Sequence, residues 1–83
     1  MNSIDEELIP DNAEEYNNRG IAFANLGNYT QAIKDFNKAI ELKPDYANAY
    51  NNRGLAYYDS GNYTQAIKNY DQAIELKPDY ADT

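Results

Sequence analysis

Eighty-three residues leave room for one small domain, which can bury only a modest share of its surface. Fourteen acidic residues against seven basic ones give a net charge of −7, a balance that disfavours nucleic acid, whose phosphates need a basic patch. With no cysteine and no histidine there is neither a disulfide framework, nor a thiolate or imidazole metal site, nor an imidazole catalyst.

The chain opens on Met1–Asp11. Ser3, followed by Ile4, Asp5 and Glu6, has capping-box spacing, which allows a short helical turn over Ile4–Ile9. Glu7-Leu8-x-Pro10-Asp11 also aligns with Glu41-Leu42-x-Pro44-Asp45, so residues 1–12 read either as the worn end of a preceding helix or as a disordered extension. No apolar run approaches the ~20 residues of a membrane helix, and the acidic N-terminus does not fit a signal peptide. A cytoplasmic protein without membrane contact is the expectation.

A first helix is predicted over Ala13–Leu26. Asp11 is its expected N-cap, with Glu14 three residues on. Tyr16, Gly20 and Phe23 share one helical face at i, i+4 and i+7. Gly27 supplies a left-handed stop. Asn28, with Gln31 three residues later, caps a second helix that runs to Leu42, and Pro44 ends it. Ala32, Phe36 and Ala39 turn towards the first helix, with Ile33 and Ile40 alongside. Gly20 and Ala32 are small enough to let the two backbones approach.

The same devices return 34 residues later. Asp45 is the expected cap of a helix over Ala47–Ser60, Gly61 stops it, and Asn62 caps a helix over Thr64–Leu76 that ends before Pro78. Between Ala13–Tyr46 and Ala47–Tyr80, 11 of 34 positions differ and 23 are identical. A fixed period of this size marks a repeat architecture in which each unit stacks on its neighbour. Units are therefore placed at 13–46 and 47–80, with a stub at 81–83.

Tyr16, Gly20, Phe23, Gly27, Tyr29, Ala32, Phe36, Ala39 and Pro44 carry the pattern of the first unit. Tyr50, Gly54, Tyr57, Gly61, Tyr63, Ala66, Tyr70, Ala73 and Pro78 carry it in the second. In period and in these residues the chain resembles the tetratricopeptide repeat family over Ala13–Tyr80. The resemblance implies an all-α fold, two tandem helix-turn-helix repeats forming a short right-handed α-solenoid. One departure is Arg19 and Arg53, where the family usually has an aliphatic residue. Each reads either as a stem covering apolar surface with its head in water or as an anion contact.

Catalytic chemistry is not evident. Ser3, Ser60, Thr30, Thr64 and Thr83 have no basic partner in a nucleophile arrangement, and Thr30 and Thr64 suit helix starts. No carboxylate pair is set apart by an apolar pocket, and no calcium-loop or phosphate-loop spacing occurs. No enzyme activity, metal or cofactor is expected, and the acidic residues read as a solvated surface.

The resemblance implies instead that the first helices of the units line a concave surface for an extended peptide or a partner helix. Position by position this assigns Glu14, Asn17, Asn18, Ile21, Ala24 and Asn25, then Asn48, Asn51, Asn52, Leu55, Tyr58 and Asp59. Helical spacing independently puts Asn17, Ile21 and Ala24 on one face, as it does Asn51, Leu55 and Tyr58. Side-chain amides carry both a donor and an acceptor, so Asn18 and Asn52 can pair with a peptide backbone of any sequence. A clamp for a C-terminal carboxylate is not expected, because Asn17 and Ile21 stand where a lysine and an asparagine would be needed. The bland reading of the asparagines is a solvated polar face.

A second expectation concerns the far end. Tandem units need neighbours to bury their apolar faces, and terminal units normally carry a polar cap. The last predicted helix instead shows Ile67, Tyr70 and Ile74. Association with another copy, or exchange of a hairpin between copies, through this uncapped C-terminal face would cover them. The functional alternatives are thus a protein–protein interaction module and a self-assembling structural unit, natural fragment or design, with no dedicated ligand.

Overall fold

The computed structural model describes residues 11–76. Among them the chain forms four helices, α1 (Ala13–Asn25), α2 (Tyr29–Leu42), α3 (Ala47–Asp59) and α4 (Tyr63–Leu76), and no strand. The predicted turn over 4–9, the stop at Pro78 and the stub at 81–83 lie outside the described residues.

The turns follow from local chemistry. After α1, the Asn28 amide donates to Phe23 O at 2.9 Å and the Gly27 amide to Ala24 O at 2.9 Å, the paired bonds of a Schellman ending. That ending needs a left-handed residue, and Gly27 supplies it at φ 82°. Asn28 then caps α2 by accepting from the Gln31 amide at 3.3 Å. Gly61 (φ 94°) and Asn62, which accepts from the Gln65 amide at 3.3 Å, repeat the arrangement between α3 and α4. After α2, the Lys43 amide still bonds to Ala39 O, and Pro44 cannot continue the ladder.

Two expected caps are corrected. Asn12, not Asp11, caps α1, accepting from the Glu15 amide at 2.8 Å, while the Glu15 carboxylate accepts from the Asp11 amide. The helix starts at Ala13 as expected, and the residue directly before it, Asn12, is the acceptor that reaches the third helical amide. At α3, which also starts where expected at Ala47, the cap position falls on Tyr46, not Asp45. Tyrosine has no side-chain acceptor within reach, and α3 has no side-chain cap there.

The short connections make α1–α2 and α3–α4 antiparallel hairpins. The hairpins join mainly through α2 against α3, with a brief contact of α1 on α3. Ala32, Phe36 and Ala56 form the buried centre, flanked by Ile21, Phe23, Ala24, Tyr29 and Ile33. Gly20 serves the ring of Phe36: a methyl group added there would meet that ring at 2.6 Å. Ala32 sits in the cluster that includes Ala56 of α3, so it serves the contact between hairpins as well.

Candidate peptide-binding face

α1 and α3 lie side by side, and the residues expected to bind peptide divide into four groups. Ile21, Ala24 and Asn25 of α1 face Asn52, Leu55 and Asp59 of α3 across a dent of about 80 Å³ with the Phe36 ring at its lining. That is far below the roughly 300–1,000 Å³ of small-molecule sites, so the dent suits one small aliphatic side chain. Its walls are apolar at Ile21, Ala24 and Leu55, while Asn25, Asn52 and Asp59 supply polar atoms.

Asn17 lies beneath this surface. It is 5% exposed, and its Oδ1 accepts from Asn52 Nδ2 at 3.1 Å. The bond joins α1 to α3 and fixes the orientation of the Asn52 amide. Asn18 and Asn51 are exposed. Tyr58 is exposed and meets the Tyr63 ring edge-on, centroids 5.1 Å apart.

Glu14 and Asn48 stand apart from the dent. They line a wider, polar depression of about 440 Å³ with Asn12, Ala13, Lys43 and Tyr46 at the starts of α1 and α3. Lys43 Nζ lies 4.7 Å from the centre of the Tyr46 ring there.

The arginines that break the expected aliphatic position hold the hairpins together. Arg19 Nε and Nη2 each donate to the Asp35 carboxylate at 2.9 Å, and Asp35 is 2% exposed. The bond to Asp35 pushes the Arg19 pKa above its ordinary value, against the opposing effect of burial. The head of Arg19 is therefore on a carboxylate rather than in water. Arg53 Nε donates to Asn69 Oδ1 at 2.6 Å and its Nη1 to Asn37 Oδ1 at 2.7 Å. Both guanidinium groups also lie near aromatic rings, Arg19 at 5.8 Å from Tyr16 and Phe23, and Arg53 at 5.1 Å from Tyr50.

Of the residues expected to self-associate, Ile67 and Ile74 on α4 are exposed and Tyr70 is half-buried. Burial raises the Tyr70 pKa above the ordinary tyrosine value, helped by the charge of Asp59 and by Tyr58. Among the described residues no cluster of acidic side chains is placed to hold a metal, and no helix is long and apolar enough to cross a membrane.

Comparison with known proteins agrees with this geometry. A family model described as "TPR repeat" matches residues 22–61, and one described as "Tetratricopeptide repeat" matches residues 47–80. Among curated proteins none matches the chain. Among solved structures, a crystal structure of MamA is similar at 31% identity and TM-score 0.75 over 86% of this chain and 42% of that one. A second, of MamA protein, is similar at 31% identity and TM-score 0.74 over 84% and 38%. The chain thus spans less than half the length of either. Two matched repeats, four helices in two hairpins and these structural relatives place the chain in the tetratricopeptide repeat family.

Proposed function

We propose that this is a non-catalytic protein-interaction module that receives an extended peptide or a partner helix on the α1–α3 face. The observation that carries the reading is the dent between Ile21 and Leu55, apolar within and edged by the amides of Asn25 and Asn52. Such a surface recognises a backbone through amide pairs and one small apolar side chain through the dent. Asn18 and Asn51 extend the polar edge, and Tyr58 adds a ring held in place by Tyr63. Asn17 contributes by orienting Asn52.

The test is a peptide-display selection on the immobilised chain, with Leu55→Glu and Asn18→Ala variants as counter-targets. Peptides that bind the native chain and lose affinity for both variants support the reading. Peptides that bind all three equally overturn it, provided circular dichroism shows that both variants are folded.

A second reading is favoured by an internal comparison. Tyr29 and Ile33 on α2 are half-buried, because α3 packs over them. Their counterparts on α4, Tyr63 and Ile67, are 58% and 60% exposed. With Ile74 and the edge of Tyr70 they form an apolar strip of the kind that marks an association surface. We propose that this strip is covered in a complex, another copy being the simplest occupant. Sedimentation over a range of concentrations tests that occupant: a species that stays monomeric at high micromolar concentration excludes it.

A further inference from the structure

The strip on α4 is a second edition of a surface whose occupant is visible within the same molecule. On α2 that surface is covered by α3, which presents Ala49, Arg53 and Ala56. Both alanines are buried, and Ala56 lies in one cluster with Ala32 and Phe36. Small residues four before and three after the arginine share its helical face, so the helices approach closely while the guanidinium reaches Asn37 on α2.

Between the two hairpins the acid and the amide change places. The first reads Asp35-Phe36-Asn37 and the second Asn69-Tyr70-Asp71. In the first, the carboxylate faces inward and holds Arg19, while the amide at 37 meets the arginine of the next hairpin. In the second, the amide at 69 faces inward to Arg53. The carboxylate has moved to 71, the position through which a following helix would be met, and Asp71 is exposed.

We propose that the outer face of α4 docks a helix that presents an arginine between two small residues, in the pattern Ala-x-x-x-Arg-x-x-Ala that α3 carries at 49, 53 and 56, with Asp71 pairing with that arginine. The proposal rests on the second reading above, that the strip is covered, and places a helix of stated chemistry there instead of another copy. An asparagine offers a guanidinium one acceptor oxygen, whereas a carboxylate offers two and accepts the planar fork bidentately, which selects arginine over lysine. The α1 helix of a second copy fits less well. It carries Glu15 where α3 has the fully buried Ala49, so docking would bury a carboxylate near Asp71.

The experiment titrates the full chain into a fluorescein-labelled peptide of residues 47–60, stapled between positions 51 and 55, whose side chains are exposed in α3. Anisotropy should saturate. Asp71→Lys should weaken binding roughly fivefold, the scale of a well-formed partly exposed ion pair. Arg53→Glu in the peptide should weaken it similarly on the native chain and recover affinity on the Asp71→Lys chain. Ile67→Asp should abolish it. Saturation that ignores both charge changes overturns the arginine pairing and leaves the association strip standing. Absence of saturation at about 1 mM overturns both. Binding lost with Ile21→Glu but not with Ile67→Asp puts the peptide on the concave face and likewise overturns the proposal. So does self-association of the native chain that Ala22→Glu, at an exposed position of α1, removes, since the occupant would then be a second copy.

Discussion

Arg19 and Asp35, sixteen residues apart, meet through two parallel bonds of 2.9 Å, with the carboxylate 3% exposed and the guanidinium side chain 35% exposed. Removing one partner of such a pair costs more than the pair is worth, because the other is left buried without compensation. Arg19→Leu should lower stability by about 2 kcal/mol, between the surface and fully buried cases. Asp35→Asn should cost less, since Asn69 shows that an amide serves Arg53 at the same place. Urea midpoints of the two variants check the order. Equal losses would contradict it.

Gly20 and Gly54 make a matched pair for alanine substitution. The added carbon meets the Phe36 ring at 2.6 Å in the first hairpin and the Tyr70 ring at 2.9 Å in the second. Phe36 is fully buried and has nowhere to turn, whereas Tyr70 is half-buried and can yield towards solvent. Overpacking costs about 1–3 kcal/mol, against a gain of about 1 kcal/mol in helix propensity. Gly20→Ala should therefore destabilise by about 2 kcal/mol and Gly54→Ala by less than about 1 kcal/mol, measured by denaturant unfolding.

Tyr70 gives the fold an alkaline limit. Its folded-state pKa lies above the unfolded value of about 10 because burial, then the Asp59 charge and then Tyr58 oppose ionisation. A raised pKa leaves the contribution intact below the unfolded value and removes it as pH rises through the folded one. Stability should be insensitive to this group up to about pH 9 and decline above it. Tyr70→Phe, the residue found at position 36, should flatten that part of the decline. Urea midpoints from pH 8 upward, native against variant, measure the difference.

Ile33 and Ile67 hold equivalent positions with and without a covering helix. Ile33→Thr should cost about 1–2 kcal/mol, since it places a hydroxyl against the Ala32, Phe36 and Ala56 cluster. Ile67→Thr should stay within about 0.5 kcal/mol in dilute solution. An Ile67 cost that grows with protein concentration would show that the α4 strip is covered by another copy.

How much of this was legible beforehand depends on how local each signal is. Gly27, Gly61, Asn28 and Asn62 announce their turns because the bonds that need them span at most five residues. The α1 cap differs by one residue because Asp11 and Asn12 are both good acceptors and only the helix phase chooses between them; at α3 the same phase puts Tyr46, which offers no acceptor, at the cap. Burial of Asp35 and Asn17 was not legible. Each is polar, and each is drawn inward by a partner on another helix, Arg19 and Asn52 respectively. A usable trace did exist for the arginines: each departs from the aliphatic pattern, and each has an Asp or Asn sixteen residues further on. The dent at Ile21 and Leu55 was foreshadowed by residue type, whereas Asn48 proved to belong to a different depression, because the face turns away towards the helix starts.

One guanidinium spans three helices: Arg53 projects from α3, grips Asn69 on α4 and reaches Asn37 on α2. Prising the hairpins apart and peeling away the last helix therefore tug on the same knot. A lone pair of helices is scarcely self-supporting, so slack introduced at either place spreads to the other. Stretched between its ends in an optical trap, the molecule should rip in one event, without the half-length pause expected of two modules strung on a thread.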